Sequence, residues 1–151
     1  MTVLRLNSVA GVVRNWDFFR KGLVHVQQFL KYNVTLDTYR KIICFLVKQP
    51  NAYVALVMDD SAEPLGFVVA HEATPLFSDT VEYEVSILYH QPGQGVATAV
   101  LQADFEQFCR ERNAKSYFVT TRRDSGSVIR CFQAPRYGLR RAYTVFRKDL
   151  N

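Results

Sequence analysis

The spacing of hydrophobic residues predicts helices in the first third of the chain, after one short strand. Val3 to Leu6 alternates as a strand does, and Trp16 to Leu30 carries apolar side chains at steps of three and four residues, which indicates an amphipathic helix. Thr35 is the predicted N-cap of a second helix that ends near Gln49 and Pro50. The core faces are expected to be Trp16, Phe19, Leu23, Val24, Gln27 and Leu30 in the first helix, and Leu36, Tyr39, Ile42, Ile43, Phe45, Leu46 and Val47 in the second.

The middle of the chain predicts three strands that run back and forth. Ala52 to Met58 and Leu65 to His71 are separated by the turn-forming stretch DDSAEP, which is typical of a hairpin. Val81 to Leu88 follows as a third strand. Because side chains alternate across a sheet, we expect Tyr83, Val85 and Ile87 on one face, and Glu82, Glu84, Ser86 and Leu88 on the other.

The last third predicts a long helix followed by shorter elements. The helix reaches about Arg112, and its core face is expected to hold Ala97, Leu101, Phe105, Phe108 and Cys109. Ser116 to Thr121 reads as a strand, Ser127 to Phe132 as a short helix or turn, and Ala142 to Phe146 as a last strand. The order β-α-α-β-β-β-α-β-α-β predicts an α/β fold with a mixed sheet, and residues 1–151 are expected to form a single domain.

Composition narrows the classes of function. No apolar run has the roughly 18 residues of a membrane span, and the N-terminus lacks the apolar core of a secretory signal. The three cysteines and three histidines do not have the spacing of a metal or redox site. We therefore expect a cytoplasmic protein with reduced thiols, no membrane contact and no bound metal.

Charge is distributed unevenly along the chain, although the net value is only +5. Residues 49–109 contain nine acids and no lysine or arginine, whereas residues 115–151 contain nine basic residues and two acids. Two neighbouring ligand sites of opposite polarity would explain this distribution. Uneven surface charge without a function explains it equally well.

The stretch HQPGQGVATAV joins the third strand of the hairpin region to the long helix through a glycine-rich turn. The first N–H groups of a helix have no intrahelical partner, and together with the helix dipole they form an anion site. Gly93 and Gly95 would let a phosphate approach the backbone closely. A P-loop is excluded because no lysine is near, and a dinucleotide-binding fingerprint lacks its third glycine and its acidic residue.

In the order and spacing of its elements the chain resembles the GNAT superfamily of acetyl-CoA-dependent N-acetyltransferases, over nearly its whole length. The family signature Q/R-x-x-G-x-G/A aligns without gaps with PGQGVATAVL. Gly95 and Ala97 occupy its last two defined positions, and Gly93 a position that is commonly glycine. The strand-like LGFV at residues 65–68 and the ending GLRRAYTVFRKDL also resemble the family.

The resemblance implies a GNAT-like fold, with a mostly antiparallel sheet flanked by helices, and acetyl-CoA (CoA) as the cofactor. Its pyrophosphate would bind the N–H groups of Gln94, Gly95, Val96 and Ala97. Its pantetheine arm would pair with the open edge of residues 85–88, which makes Val85, Ile87 and Leu88 binding residues, with an oxyanion contact near Ile87 or Leu88. Arg122, Arg123 or Arg130 could reach the nucleotide, although a solvated surface explains each arginine alone.

Two departures from the family pattern concern the cofactor contact and the general acid. The first signature position is Pro92, and Gln91 lies one residue away. Many family members carry a tyrosine four residues before a late Gly-aromatic pair, which protonates the leaving thiolate. Ala134 holds that position before Gly138, and a two-residue insertion would make it Phe132, which has no proton to give. Tyr137 is the remaining candidate acid.

The acceptor amine must lose a proton before it attacks a thioester, so a base near the cleft is expected. Glu82 and Glu84 are the first candidates, because two close carboxylates tend to raise one pKa; a solvent-facing pair of glutamates is the alternative. His90 is a third candidate. The acidic middle of the chain would attract a cationic amine, such as a small molecule or a protein lysine.

Two functions follow from these patterns. The first is an acyl-CoA-dependent N-acyltransferase, moving an acetyl group to an amine by direct transfer in a ternary complex. The second, motivated by Pro92 and Phe132, is a catalytically inactive GNAT-like protein that binds a protein or nucleic acid. Arg140 and Arg141 would serve nucleic acid, but the acidic middle of the chain disfavours it. A homodimer is left open.

Overall fold

The computed structural model describes residues 1–29, 33–119, 134, 135, 138 and 139. The strands within these ranges are β1 (Thr2–Leu6), β2 (Ala52–Met58), β3 (Pro64–Glu72), β4 (Glu82–His90) and β5 (Ser116–Val119). The helices are α1 (Val9–Arg14), α2 (Trp16–Phe29), α3 (Leu36–Leu46) and α4 (Gly95–Glu111).

The five strands form one mixed sheet in the order β1-β2-β3-β4-β5. The first four strands are antiparallel to their neighbours, and β5 runs parallel to β4. Loops join β2 to β3 and β3 to β4 directly, whereas α1, α2 and α3 lie between β1 and β2. The parallel strand needs a crossover, which α4 supplies. The mixed, mostly antiparallel sheet expected from the sequence is confirmed.

Helices cover both faces of the sheet and create two hydrophobic cores. On one face α2 and α3 pack over the sheet, with Phe19, Ile43 and Phe67 fully buried. On the other face α4 packs over the sheet, with Leu101 and Phe105 at its centre. The strands between the two layers are apolar on both faces, as in the buried run of β2.

The core faces of the first two long helices are narrower than expected. Phe18, Phe19 and Val26 are the buried apolar side chains of α2, and Tyr39, Ile43 and Val47 are those at α3. The expected core residues Val24, Gln27, Leu36, Ile42 and Phe45 are exposed. Each helix touches the sheet along one stripe only, so apolar residues outside the stripe stay on the surface. The expected face of α4 is confirmed, since all five of its residues are buried.

A short helix, α1, was not expected from the sequence. Ser8 caps it by accepting a hydrogen bond from the Gly11 N–H (3.3 Å), and the Asn15 side chain donates to the Gly11 carbonyl (2.9 Å). Only Val12 is buried, so its six residues carry too little periodicity to be recognised. The expected elements at residues 127–132 and 142–146 lie outside the described residues. In the described part of the chain, no helix has the length and apolar character to cross a membrane.

Candidate functional site

The strand β4 contains a β-bulge at Ser86, and the bulge divides the strand into two halves. Val69 pairs with Ile87 and Ala70 with Val85, so Ser86 has no partner in β3. The extra residue reverses the alternation of side chains. Val85 and Leu88 both pack with the core under α4, whereas Ile87 packs under α2 and α3. The expected alternation, with Val85 and Ile87 on one face, is therefore wrong beyond Val85.

The two edges of β4 carry different amides beyond the bulge. The Gln91 N–H donates to the Leu65 carbonyl (2.9 Å), and bonded and non-bonded pairs alternate along antiparallel strands. The amide of Ile87 therefore faces β3, while the amide of Leu88 faces the side of β5. Within the described residues, β5 pairs with β4 from Glu82 with Ser116 to Val85 with Val119.

A small cavity of about 20 Å³ lies beside β4 and β5, between the sheet and α4. Its lining is mostly apolar and includes Val85, Leu88, Leu101, Val119 and Leu139. It offers room for about one water molecule or one methyl group.

The turn between β4 and α4 is held by backbone geometry. Gly93 has φ +81°, a left-handed conformation that favours glycine. The Gln91 side chain donates to the Pro64 carbonyl (2.8 Å), so this amide holds the turn against β3. A Cβ at Gly95 would meet no atom within 4 Å, so the described residues give no steric reason for a glycine there.

The N-terminus of α4 presents two free amides. The Gln94 N–H donates to the Gln91 carbonyl (3.0 Å) and the Ala97 N–H to the Gln94 carbonyl (2.9 Å). Among the described residues, the amides of Gly95 and Val96 have no acceptor within hydrogen-bond distance. The first turn carries no acidic side chain, and Val96 is 65% exposed. An anion can thus approach this turn without repulsion from it.

A polar cluster lies on the opposite face of the sheet, at the bulge. His71 Nδ1 lies 2.9 Å from Ser86 Oγ, and His71 Nε2 lies 3.9 Å from Glu84 Oε2. Glu82 is on the same face of β4, because Tyr83 and Val85 pack under α4. The structure therefore brings both expected glutamates together with His71 and Ser86, which sequence reasoning missed. The signal that could have found His71 is its position opposite Glu84 in the pair of strands β3 and β4.

Other titratable groups near the cavity have structural partners. The Tyr117 hydroxyl donates to Glu106 Oε1 (2.9 Å) and accepts from Gln102 Nε2 (2.7 Å), and burial raises its pKa, followed by the bond to Glu106. Burial also raises the pKa of the Cys109 thiol to about 11, which leaves it a poor nucleophile. The candidate base His90 lies at an exposed position, with Nδ1 2.8 Å from the Gln91 carbonyl.

Several expected site residues lie outside the described residues: Arg122, Arg123, Arg130, Phe132 and Tyr137. Gly138 is described and has φ +62°, which agrees with a turn at this point. Among the described residues, no group of three or more histidine, cysteine or acidic side chains is placed to hold a metal ion.

Solved structures share this fold over the full length of the chain. A probable acetyltransferase superposes with a TM-score of 0.73 and 16% identity, covering 99% of this chain and 100% of that one. The aminoglycoside 6'-N-acetyltransferase AAC(6')-IG from Acinetobacter haemolyticus gives a TM-score of 0.72 and 12% identity, covering 100% of both. An aminoglycoside acetyltransferase, meta-AAC0020, from an uncultured soil metagenomic sample in complex with sisomicin gives 0.73 and 12%, covering 99% and 96%.

No protein-family model and no curated protein matches the sequence. The agreement with the solved structures is thus one of fold, at identities of 10–16%. The chain has the fold of the GNAT superfamily acetyltransferases.

Proposed function

We propose that this chain is an acyl-CoA-dependent N-acyltransferase that moves an acetyl group from acetyl-CoA to an amine. One observation carries the proposal: the bulged strand β4 runs into a glycine turn, and at the helix that follows the amides of Gly95 and Val96 have no acceptor among the described residues. A helix end that can bind an anion, placed at the end of a sheet strand, suits a ligand with a pyrophosphate.

The residues present fit such a cofactor. The amides of Gly95 and Val96 would bind the pyrophosphate, and the absence of a side chain at Gly95 leaves room for it. Gln94 and Ala97 would shape the turn, since their amides already have partners. The Leu88 amide, which faces the side of β5, would pair with the pantetheine arm or polarise the thioester carbonyl. When bound, acetyl-CoA supplies the acyl group as a thioester.

The acceptor in this proposal is a cationic amine that reaches the face of the sheet carrying Glu82 and Glu84. Both carboxylates lie on the half of β4 that precedes the bulge. Their charge would attract an ammonium group. The structural neighbours include aminoglycoside acetyltransferases, which supports a small-molecule acceptor. The proposal has four further parts: Tyr137 as the general acid, contacts of Arg122 and Arg130 with the nucleotide, a single domain, and a cytoplasmic location.

Thermal unfolding with CoA, acetyl-CoA and ATP tests the cofactor. A ligand at about 100 times its dissociation constant adds about 2.7 kcal/mol of stability, which raises the Tm of a chain this size by several degrees. We expect a shift with CoA and acetyl-CoA and none with ATP. If neither CoA nor acetyl-CoA raises the Tm, the chain is not an acyl-CoA-dependent acyltransferase. The basic C-terminal segment would then be tested for nucleic acid by the salt dependence of binding.

The substitution Gly95→Glu separates binding from folding. A carboxylate at the first turn would repel a pyrophosphate, but its Cβ meets no atom of the chain within 4 Å and its charge favours the helix dipole. We expect an unchanged or slightly higher Tm without ligand, and a loss of at least tenfold in CoA affinity. The same change at Ala103, an exposed position in the middle of α4, is the matched control and should leave CoA affinity unchanged. Equal affinities in the two variants would place the cofactor elsewhere.

A further inference from the structure

His71 lies at the bulge that marks the proposed site, on β3 opposite Glu84 of β4. Its ring contacts side chains from both halves of β4: Ser86 Oγ at 2.9 Å from Nδ1, and Glu84 Oε2 at 3.9 Å from Nε2. The bulge makes this possible, because it adds Ser86 to the strand without a partner in β3. The cluster therefore depends on the bulge.

The two ring nitrogens have different surroundings. At 2.9 Å the Ser86 hydroxyl is in hydrogen-bond contact, and a Nδ1–H donated to it leaves a lone pair on Nε2. At 3.9 Å the Glu84 carboxylate is too far from Nε2 for a direct hydrogen bond. The gap is wide enough for one ammonium nitrogen to contact both atoms. The side chains of His71 and Glu84 are 36% and 28% exposed, so such a group can reach them.

Among the residues that the structure describes, the charged side chains near His71 favour a cation there. Glu82 is on the same face of β4, and the β2 residue opposite His71 is the uncharged Ala52. The basic residues of α2 and α3 stand at exposed positions, where Lys21 lies over the Phe18 ring and Lys41 pairs with Asp37 (2.6 Å). The charged side chains of β4 that face the His71 ring are thus carboxylates.

We propose that His71 is the general base of the acyl transfer, that Glu84 holds the acceptor's ammonium group, and that Ser86 fixes the imidazole tautomer. The inference rests on the proposed acyltransferase function. The ammonium transfers one proton to Nε2, and Glu84 stabilises the imidazolium that forms. The free amine then attacks the thioester carbonyl, so that a C–N bond forms and the C–S bond breaks. The thiolate leaves and takes a proton from the general acid, which is Tyr137 in the proposal above. The second proton of the nitrogen restores that acid, and the imidazolium returns its proton to solvent.

Kinetics with spermidine and kanamycin as acceptors test the base, with acetyl-CoA binding measured on every variant. We expect His71→Gln to lower kcat by about 10²–10³-fold, while the thermal shift with acetyl-CoA is unchanged. The wild-type rate should rise with pH along one ionisation that the glutamine variant lacks. Glu84→Gln should mainly raise KM for the amine. His25→Gln removes an imidazole on α2 and is the matched control, with the wild-type rate expected.

Nitrogen NMR of the His71 ring gives a readout that does not need turnover. We expect the Nδ1–H tautomer in the wild type, a mixture of tautomers in Ser86→Ala, and a shift of Nε2 when spermidine is added to the CoA complex. The proposal is overturned if the ring is in the Nε2–H tautomer and its nitrogen shifts do not change when spermidine or kanamycin is added. A His71→Gln variant with the wild-type kcat and pH profile also overturns it, and in that case the acyltransferase proposal stands and Glu82 becomes the base to test. A wild-type chain that binds no CoA overturns both.

Discussion

At position 22, helix α2 comes so close to the sheet that a side chain cannot fit. A Cβ on Gly22 would lie 2.3 Å from Phe67 Cζ and 2.8 Å from the Tyr39 hydroxyl oxygen. The Phe67 ring is fully buried and packs against Phe19, with ring centroids 4.8 Å apart. Tyr39 donates to the Phe19 carbonyl (2.8 Å), and burial raises its pKa. Neither neighbour can move away without disturbing the core.

The variant Gly22→Ala should lower the stability of the fold by about 1–3 kcal/mol, because overpacking outweighs the better helix propensity of alanine. Chemical denaturation with a two-state fit measures it. Gly95→Ala is the control, since its Cβ meets open space, and it should be neutral or slightly stabilising. Equal free energies of unfolding of the two variants would contradict this close packing of α2 against Phe67.

The sequence could not distinguish these two glycines. Gly22 interrupts a helical pattern and Gly95 begins one, and both read as mild helix weakeners. What separates them is the distance to residues 17–45 positions away in the chain, such as Tyr39 and Phe67. The His71–Ser86 contact has the same origin. Local patterns predict the type of an element, but a contact between two strands depends on their register.

Among the elements, the strands and α4 were well predicted because their periodicity is strong. The hairpin of β2 and β3 and the Thr35 cap of α3 were both expected, and Thr35 does accept from the Thr38 N–H (3.2 Å). The bulge in β4 was not expected, because Ser86 fits the alternating pattern as a polar residue. Only pairing with β3 reveals that it is the extra residue. The sequence thus locates the candidate site on β4 but assigns some of its side chains to the wrong face.

If acetyl-CoA pairs with β4 at Leu88, as proposed, this edge is open in the free protein and hydrogen exchange along the strand should be unequal. The Leu88 amide faces the edge without a described partner, whereas Ile87 and Tyr89 direct their amides to β3. We expect Leu88 to exchange at least tenfold faster than both neighbours in the free protein, and acetyl-CoA to slow Leu88 alone. Amide exchange followed by NMR measures all three sites together. Equal protection of Leu88 and Ile87 without ligand would contradict an open edge.

Across the whole molecule, one polar network joins β1, β2 and α4. Arg5 donates to both oxygens of Asp104 (2.7 and 3.2 Å) and to Glu111 (3.2 Å), and the Tyr53 hydroxyl donates to Asp104. Burial works against the charged Asp104 carboxylate, but the hydrogen bonds from Arg5 and Tyr53 outweigh it, so the pKa of Asp104 is lowered. Burial, followed by the bond to Asp104, raises the pKa of Tyr53. The network fixes α4, and with it the glycine turn, to the sheet.

The variant Asp104→Asn should therefore lose about 1–2 kcal/mol of stability at neutral pH. Because the folded pKa of Asp104 is lowered, its contribution is complete above the unfolded value of about 3.9 and disappears as the pH falls through the folded pKa. The difference in Tm between the wild type and the variant should accordingly close in acid. Asp37→Asn, which alters an exposed pair with Lys41, is the control and should change stability by about 0.5 kcal/mol or less. A gap that stays constant down to pH 2 would contradict the carboxylate's role.

The single extra residue in β4 also limits how this strand can change its length. Before Ser86 the even positions face α2 and α3, and after it the odd positions do, so the two halves are out of phase by one residue. Deletion of any residue between 83 and 89 would bring the two halves of the strand back into the same alternation. Either the glutamates or the apolar residues would then turn towards the opposite core. Substitutions change one side chain at a time, whereas a one-residue deletion exchanges the environments of half a strand. The acidic half and the glycine-turn half of β4 are therefore held at a fixed separation: a substitution can change the chemistry of either half, but an insertion or deletion between them disturbs the packing of both.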